Sequence, residues 1–115
     1  MQDSDLNLGS AGLTRLAEYL DACCRQHKTV TYLEAANAID TLPPHRIHRL
    51  TVMLEDLLEH DQKYQQPLRA ALVVSRSGGR IPGQGFFLKA QALGVMQAQT
   101  NEDFHQQCLS RLFDQ

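Results

Sequence analysis

The stretch RAALVVSRSGGRIPGQGFFLK, residues 69–89, decides how the rest of the chain is read. Its first part, RAALVVSR (69–76), is a short apolar run with two β-branched valines. That pattern predicts a strand buried on both faces. Gly78-Gly79-Arg80-Ile81-Pro82-Gly83 is turn and loop chemistry. QGFFLK (84–89) then reads as a return strand, so the stretch as a whole predicts a hairpin with a long glycine-rich tip.

Upstream, Leu42-Pro43-Pro44 interrupts the chain, and proline suits the first position of a helix because its missing N–H would be unpaired there. A helix is expected from about residue 44 to 62, with Ile47, Leu50, Leu54, Leu57 and Leu58 as its buried stripe. Before it, Thr29-Val30-Thr31 suits a strand stub. Thr31 with Glu34 forms a capping box that opens a second helix, whose apolar face is Ala35, Ala36 and Ile39. Earlier still, Leu13, Leu16, Leu20 and Cys23 mark a first helix running to about residue 26. Residues 1–11 read as a loose polar arm, and 12–115 as a single domain. Downstream of the hairpin, a helical turn over 90–93 ends at Gly94. Thr100 caps a last helix with Asp103 in its first turn and Phe104, Cys108 and Leu112 on its docking face.

The expected fold is therefore α+β: a winged helix-turn-helix of three helices plus a two- to three-stranded hairpin wing, with a C-terminal helix. A small α+β domain with another packing would give the same string of elements.

The chain has 115 residues, 43% hydrophobic and 21% charged, which fits one globular domain. Its formal net charge is −2, so no global positive field attracts nucleic acid or anionic lipid. Cys23, Cys24 and Cys108 are odd in number and lack C-x-x-C spacing, against a disulfide framework or a zinc finger. Reduced cysteines packed on helices are expected. No signal peptide and no membrane-length apolar run is visible, which points to the cytoplasm.

Charge is unevenly placed. From Pro67 to Gly94 the chain carries Arg69, Arg76, Arg80 and Lys89 and no acid. The third helix begins with His45, Arg46, His48 and Arg49 and ends among Glu55, Asp56, Glu59 and Asp61. This order opposes the helix macrodipole, which favours anions at the N-terminus and cations at the C-terminus. Arginines beside the free N–H groups of a helix start suit a phosphate, and a recognition helix presents its first turns to the major groove. The alternative is a solvated helix end, with Arg46 or Arg49 paired to Glu18 or Asp21. His45 and His48 share a side of the helix but have no third ligand within a turn, so no metal is expected. His27 and His60 read as isolated surface histidines. The glycine loop lacks the lysine and Ser/Thr of a phosphate-binding loop and leads into a strand, so no nucleotide cofactor is expected. No catalytic constellation is visible, and an enzyme is not expected.

Over about residues 29–94, the strings TYLEAANAI, PPHRIHRLTVMLEDLLEHD, QPLRAALVVSR, IPGQGFF and LG resemble a family of small bacterial proteins of uncharacterised activity. A weaker resemblance runs from Thr31-Tyr32, through Arg46, to VVSRSGGRIPG. It is similar to the DNA-binding domain of alkylguanine-DNA alkyltransferases and alkyltransferase-like proteins, where a tyrosine and an arginine help turn a base out of the duplex. Tyr32 and Arg46 are the corresponding positions. That family's alkyl acceptor lies in a Pro-Cys-His-Arg-Val motif, and here the segment is Pro67-Leu68-Arg69-Ala70-Ala71, without cysteine. The resemblance implies DNA binding without alkyl transfer; a shared winged plan would also produce it.

The leading expectation is a non-enzymatic protein that binds double-stranded DNA through Tyr32, His45, Arg46, His48, Arg49, Arg76 and Arg80. The alternative is a protein-interaction module or homodimer. Its candidate surfaces are the acidic stretch from Glu55 to Asp61 and the C-terminal helix.

Overall fold

The computed structural model describes residues 11–77, 79–97 and 99–114. Five α-helices are described: α1 (Ala11–Arg25), α2 (Tyr32–Ala38), α3 (Arg46–Lys63), α4 (Gln84–Ala92) and α5 (Asn101–Phe113). Two strands of two residues each, β1 (Val30–Thr31) and β2 (Val73–Val74), complete the α+β fold. Of the expected arm over residues 1–11, all but Ala11 lies outside the described residues, and Ala11 opens α1.

The first three helices form where the side-chain spacing places them. Leu13, Leu16, Leu20 and Cys23 are all buried on α1. The capping box at α2 is complete. Thr31 Oγ1 accepts from Glu34 N at 3.1 Å, and Thr31 N donates to Glu34 Oε1 at 2.8 Å. These bonds satisfy two donors that a helix start leaves orphaned. On α3, Leu50, Leu54, Leu57 and Leu58 are buried, but Ile47 is exposed. The helix begins later than expected, because His45 takes a left-handed conformation (φ 60°) and Arg46 is the first helical residue.

The expected hairpin is not there. β1 and β2 pair in parallel, Val30 opposite Val73 and Thr31 opposite Val74, with α2 and α3 forming the crossover. Residues 69–72 form a 3₁₀ turn, so only Val73 and Val74 are extended. Residues 84–89 belong to α4 rather than to a return strand. Three features account for this. The partner strand is only two residues long, so β2 has nothing further to pair with. Ser75 N donates to Ile81 O at 2.9 Å, but Pro82 follows with no N–H to continue a ladder. Gly83 N is already held by the Tyr32 hydroxyl at 2.8 Å. Beyond Gly83, burying Phe86, Phe87 and Ala90 together requires helical spacing, since a strand would place Phe86 and Phe87 on opposite faces.

Residues 70–74 are the centre of the core, every one at most 3% exposed. α1, α3 and α5 all pack on the 3₁₀ turn. Arg69 is fixed from two sides. Its Nη2 and Nε bond Asp61 Oδ1 and Oδ2 at 2.7 and 3.1 Å, its backbone N reaches Oδ2 at 3.1 Å, and its Nη1 meets Asp21 at 3.3 Å. Asp61 is completely buried. α5 has its cap at Thr100, whose hydroxyl accepts from Asp103 N at 3.1 Å. Phe104, Cys108 and Leu112 are buried, and so is His105, whose Nε2–H donates to Ala71 O at 2.9 Å. Gly94, at φ 78°, follows α4 in the left-handed conformation that glycine adopts without strain. The cysteines are free: Cys23 and Cys108 are buried on α1 and α5, and Cys24 donates to Leu112 O at 3.1 Å.

Candidate functional site

The sequence singles out seven residues, and the fold distributes them at the two ends of α2. His45, Arg46, His48 and Arg49 gather at the C-terminal end, where the chain turns into α3. Arg46 fastens this corner: Nε donates to Thr41 O at 2.9 Å and Nη2 to Asn37 Oδ1 at 2.7 Å. Arg49 Nε donates to Pro44 O at 2.9 Å. Neither arginine makes a described bond to a carboxylate of α1; Asp21 is engaged by Arg69 instead. A guanidinium has five N–H donors, so both retain donors beyond these bonds. His45, His48 and Arg49 are exposed.

Tyr32, Arg76 and Arg80 belong to the other end of α2, a seven-residue helix about 10 Å long. Arg80 Nη2 donates to Thr29 Oγ1 at 3.3 Å. Glu34 lies in the same region; chiefly the bond from the Thr31 N–H, and in smaller part Arg80, holds its carboxyl below the usual range. Arg76 is exposed. The Tyr32 hydroxyl is occupied by Gly83 N, and burial raises its pKa. A Cβ on Gly83 would lie 3.2 Å from that hydroxyl, so this position needs the close approach that glycine allows. Beneath Tyr32, Leu54, Leu58, Ala70 and Phe86 close a void of about 10 Å³. That is room for one water at most, not for a base.

Two acids of α3, Asp61 and Glu59, have basic partners elsewhere in the chain. Asp61 is buried against Arg69, Glu59 Oε1 lies 3.5 Å from Lys89 Nζ, and Glu55 Oε2 sits beside Gly85. The charge order that opposes the helix dipole is thus partly answered by residues 69–92. The last turn of α3 itself also carries His60 and Lys63. His27 and His60 are not isolated: His27 stacks on Phe113 at 5.1 Å and His60 leans on Tyr64 at 4.8 Å. Among the described residues no group of three His, Cys, Asp or Glu is placed to hold a metal. No described helix is long and apolar enough to cross a membrane.

The α2–α3 corner also carries apolar residues that the sequence reading did not mark as surface. Leu42 is 71% exposed, Val52 46% and Ile47 41%. With Ile39 and Met53, Leu42 and Val52 line an open groove of about 610 Å³ between the start of α1, the corner and the first half of α3. Arg15, His48 and Arg49 rim it, and Asp40 lies 3.9 Å from Arg15. Thr41 Oγ1, buried at this corner, has no hydrogen-bond partner among the described residues. Val52 could have been found from the sequence, because it is apolar yet falls between Leu50 and Leu54, off the buried stripe. Ile47 could not: its spacing matches the stripe, yet none of the described elements covers it.

No family model, no curated protein and no solved structure matches the chain.

Proposed function

We propose that the protein is a binding module whose α2–α3 corner receives an acidic, partly apolar segment of a partner protein. The observation that carries this reading is the groove itself: exposed Leu42 and Val52 beside His48 and Arg49, with Arg15 next to Asp40 at its other side. Contiguous exposed apolar residues with a polar rim mark interaction surfaces. A partner with leucine- or phenylalanine-like anchors flanked by Asp or Glu would match both components.

Selection of peptides from a random displayed library tests it. Enriched sequences should combine acids with large apolar residues. Their binding should fall by about tenfold or more in Arg49→Glu and in Val52→Asp, while Leu88→Asp, on α4, leaves it unchanged. Enrichment of basic peptides, or binding indifferent to Val52→Asp, would rule the reading out.

A second reading is double-stranded DNA binding by the start of α3. What favours it is that the first turn of α3 has no acid and carries Arg46, His48 and Arg49, with His45 just before it. A labelled duplex at low salt discriminates. This reading expects a shift that weakens steeply with salt and is lost in Arg46→Glu. Absence of any shift removes it.

A further inference from the structure

The groove at the α2–α3 corner lies where the chain enters α1. Gly12 lines it, one position after Ala11, which opens that helix. Its floor is apolar, with Leu42 and Val52 the most exposed members. Its charge is one-sided. Among the described residues Asp40 is the one acid lining it, and that carboxylate lies 3.9 Å from Arg15. On the opposite rim, Arg49 donates through Nε to the Pro44 carbonyl, which leaves its positive charge unanswered by any described carboxylate. His48 is exposed beside it.

The sequence just before α1 has the complementary chemistry. Residues 1–10 read MQDSDLNLGS, with two acids, Asp3 and Asp5, two leucines, Leu6 and Leu8, and no basic side chain. Alternate side chains of an extended backbone point to opposite sides, which would put Leu6 and Leu8 on one side and Asp3 and Asp5 on the other. A groove with an apolar floor and a basic rim calls for that division. Gly9 and Ser10, between Leu8 and α1, bring no bulky side chain to the entrance.

We infer that residues 3–8 of the chain itself occupy this groove, Leu6 and Leu8 on Leu42 and Val52 and an aspartate at Arg49, and that a partner must displace them. The inference rests on the proposed reading of the groove, because it takes the same acidic, partly apolar ligand chemistry and finds it in cis. Reach is sufficient: Leu8 is three residues from Ala11 and Leu6 five, which allows at most about 10 and 17 Å of chain. Covalent attachment supplies the rest, since a short tether holds a segment at an effective concentration of roughly millimolar order. Docking too weak to matter between separate molecules then fills the groove for much of the time. An exposed ion pair adds little strength, so the leucines anchor the segment and the aspartates set its direction. The segment acts as an intramolecular competitor, which raises the affinity a partner needs.

Amide and methyl spectra of the labelled full chain test it. The double variant Leu6→Ser, Leu8→Ser changes residues outside the described elements, so the packed core keeps all its side chains. It should shift the signals of residues 39–42 and 48–53 and leave those of α4 and α5 in place. Methyl groups of Leu6 or Leu8 should show nuclear Overhauser contacts to Val52 in the unaltered chain. Contacts that appear between labelled and unlabelled copies in a mixed sample would instead place the segment on a second copy and overturn the inference. A synthetic peptide of residues 3–8, DSDLNL, should bind the double variant at least about threefold more tightly than the unaltered chain, because the tethered competitor is gone. Val52→Asp in the double variant should abolish that binding. Unchanged signals for residues 39–53 in the double variant would also overturn the inference. If peptides selected on the groove bind both proteins equally and lose binding in Val52→Asp, the cis occupant falls while the proposed function stands. If no peptide binds either protein, or binding ignores Val52→Asp, both fall.

Discussion

α3 and the segment that follows it bury similar runs of apolar side chains by different means. α3 lies at the surface and presents one stripe, Leu50, Leu54, Leu57 and Leu58, while Val52 and Glu59 face outwards. Residues 70–74 have no outward face, since all five are buried among α1, α3 and α5. A half-buried element carries its own period in its sequence, because water and core each select their side chains. A fully buried one carries none, and its conformation is set by the elements around it. The difference teaches where a local reading has force: it weakens in step with the loss of a solvent-facing side.

The largest effect should appear where the two regions are tied together. Asp61 of α3 accepts three hydrogen bonds from Arg69. Asp61→Ala should lower stability by about 3–5 kcal/mol in urea unfolding, because it leaves the largely buried Arg69 guanidinium with only the half-exposed Asp21 as an anionic partner. A loss under about 1 kcal/mol would mean that the two regions are not joined there.

Next in size is the test of α4. As a helix, residues 84–92 bury Phe87 and expose Leu88, which is 55% accessible. Phe87→Ala should cost about 3 kcal/mol, and Leu88→Lys no more than about 0.5. A strand with Phe86 and Leu88 inward would give the reverse order, so thermal melts of the two variants break the tie.

Acid should act mainly through the docking of α5 on residues 69–72. Burial lowers the pKa of His105 from its ordinary 6.5, although the bond to Ala71 O acts the other way. Below pH 6.5 the unfolded chain therefore takes up a proton that the folded one refuses. Stability falls as the pH drops from about 6.5 to the folded pKa, at most about 1.4 kcal/mol per pH unit, and this group contributes no slope above or below that window. Unfolding measured against pH should lose this component in His105→Gln.

The smallest effect belongs to a local device. Thr31→Ala removes the α2 cap and should cost about 1 kcal/mol. Thr31→Ser should recover most of that loss, since the hydroxyl, not the methyl group, accepts the bond from Glu34 N.

Much of the fold was legible in particular residues. Thr31 with Glu34 and Thr100 with Asp103 announced two helix starts, Gly94 the end of a third, and the leucine periods of α1 and α3 their buried faces. The hairpin was misread because QGFFLK is apolar without a clear period over six residues, and because VV suits a strand whatever its partner. The candidate site was legible only in part. The basic residues at the start of α3 do share a corner, but Arg80 bonds Thr29 and Tyr32 bonds Gly83 at the other end of α2. The apolar members of the groove, Leu42 above all, carried no periodic signal, since Leu42 belongs to no helix.

By itself, the sequence determined the helices that have one wet and one dry face, and the caps that begin them, because those features depend on residues three or four apart. Tertiary structure alone decided that Val73 pairs in parallel with Val30, that residues 84–92 wind into a helix, and which apolar residues remain uncovered. Those outcomes depend on groups more than forty residues apart, such as Tyr32 and Gly83 or Thr29 and Arg80. Nothing in a local pattern specifies which distant donor, acceptor or surface will be there to meet it.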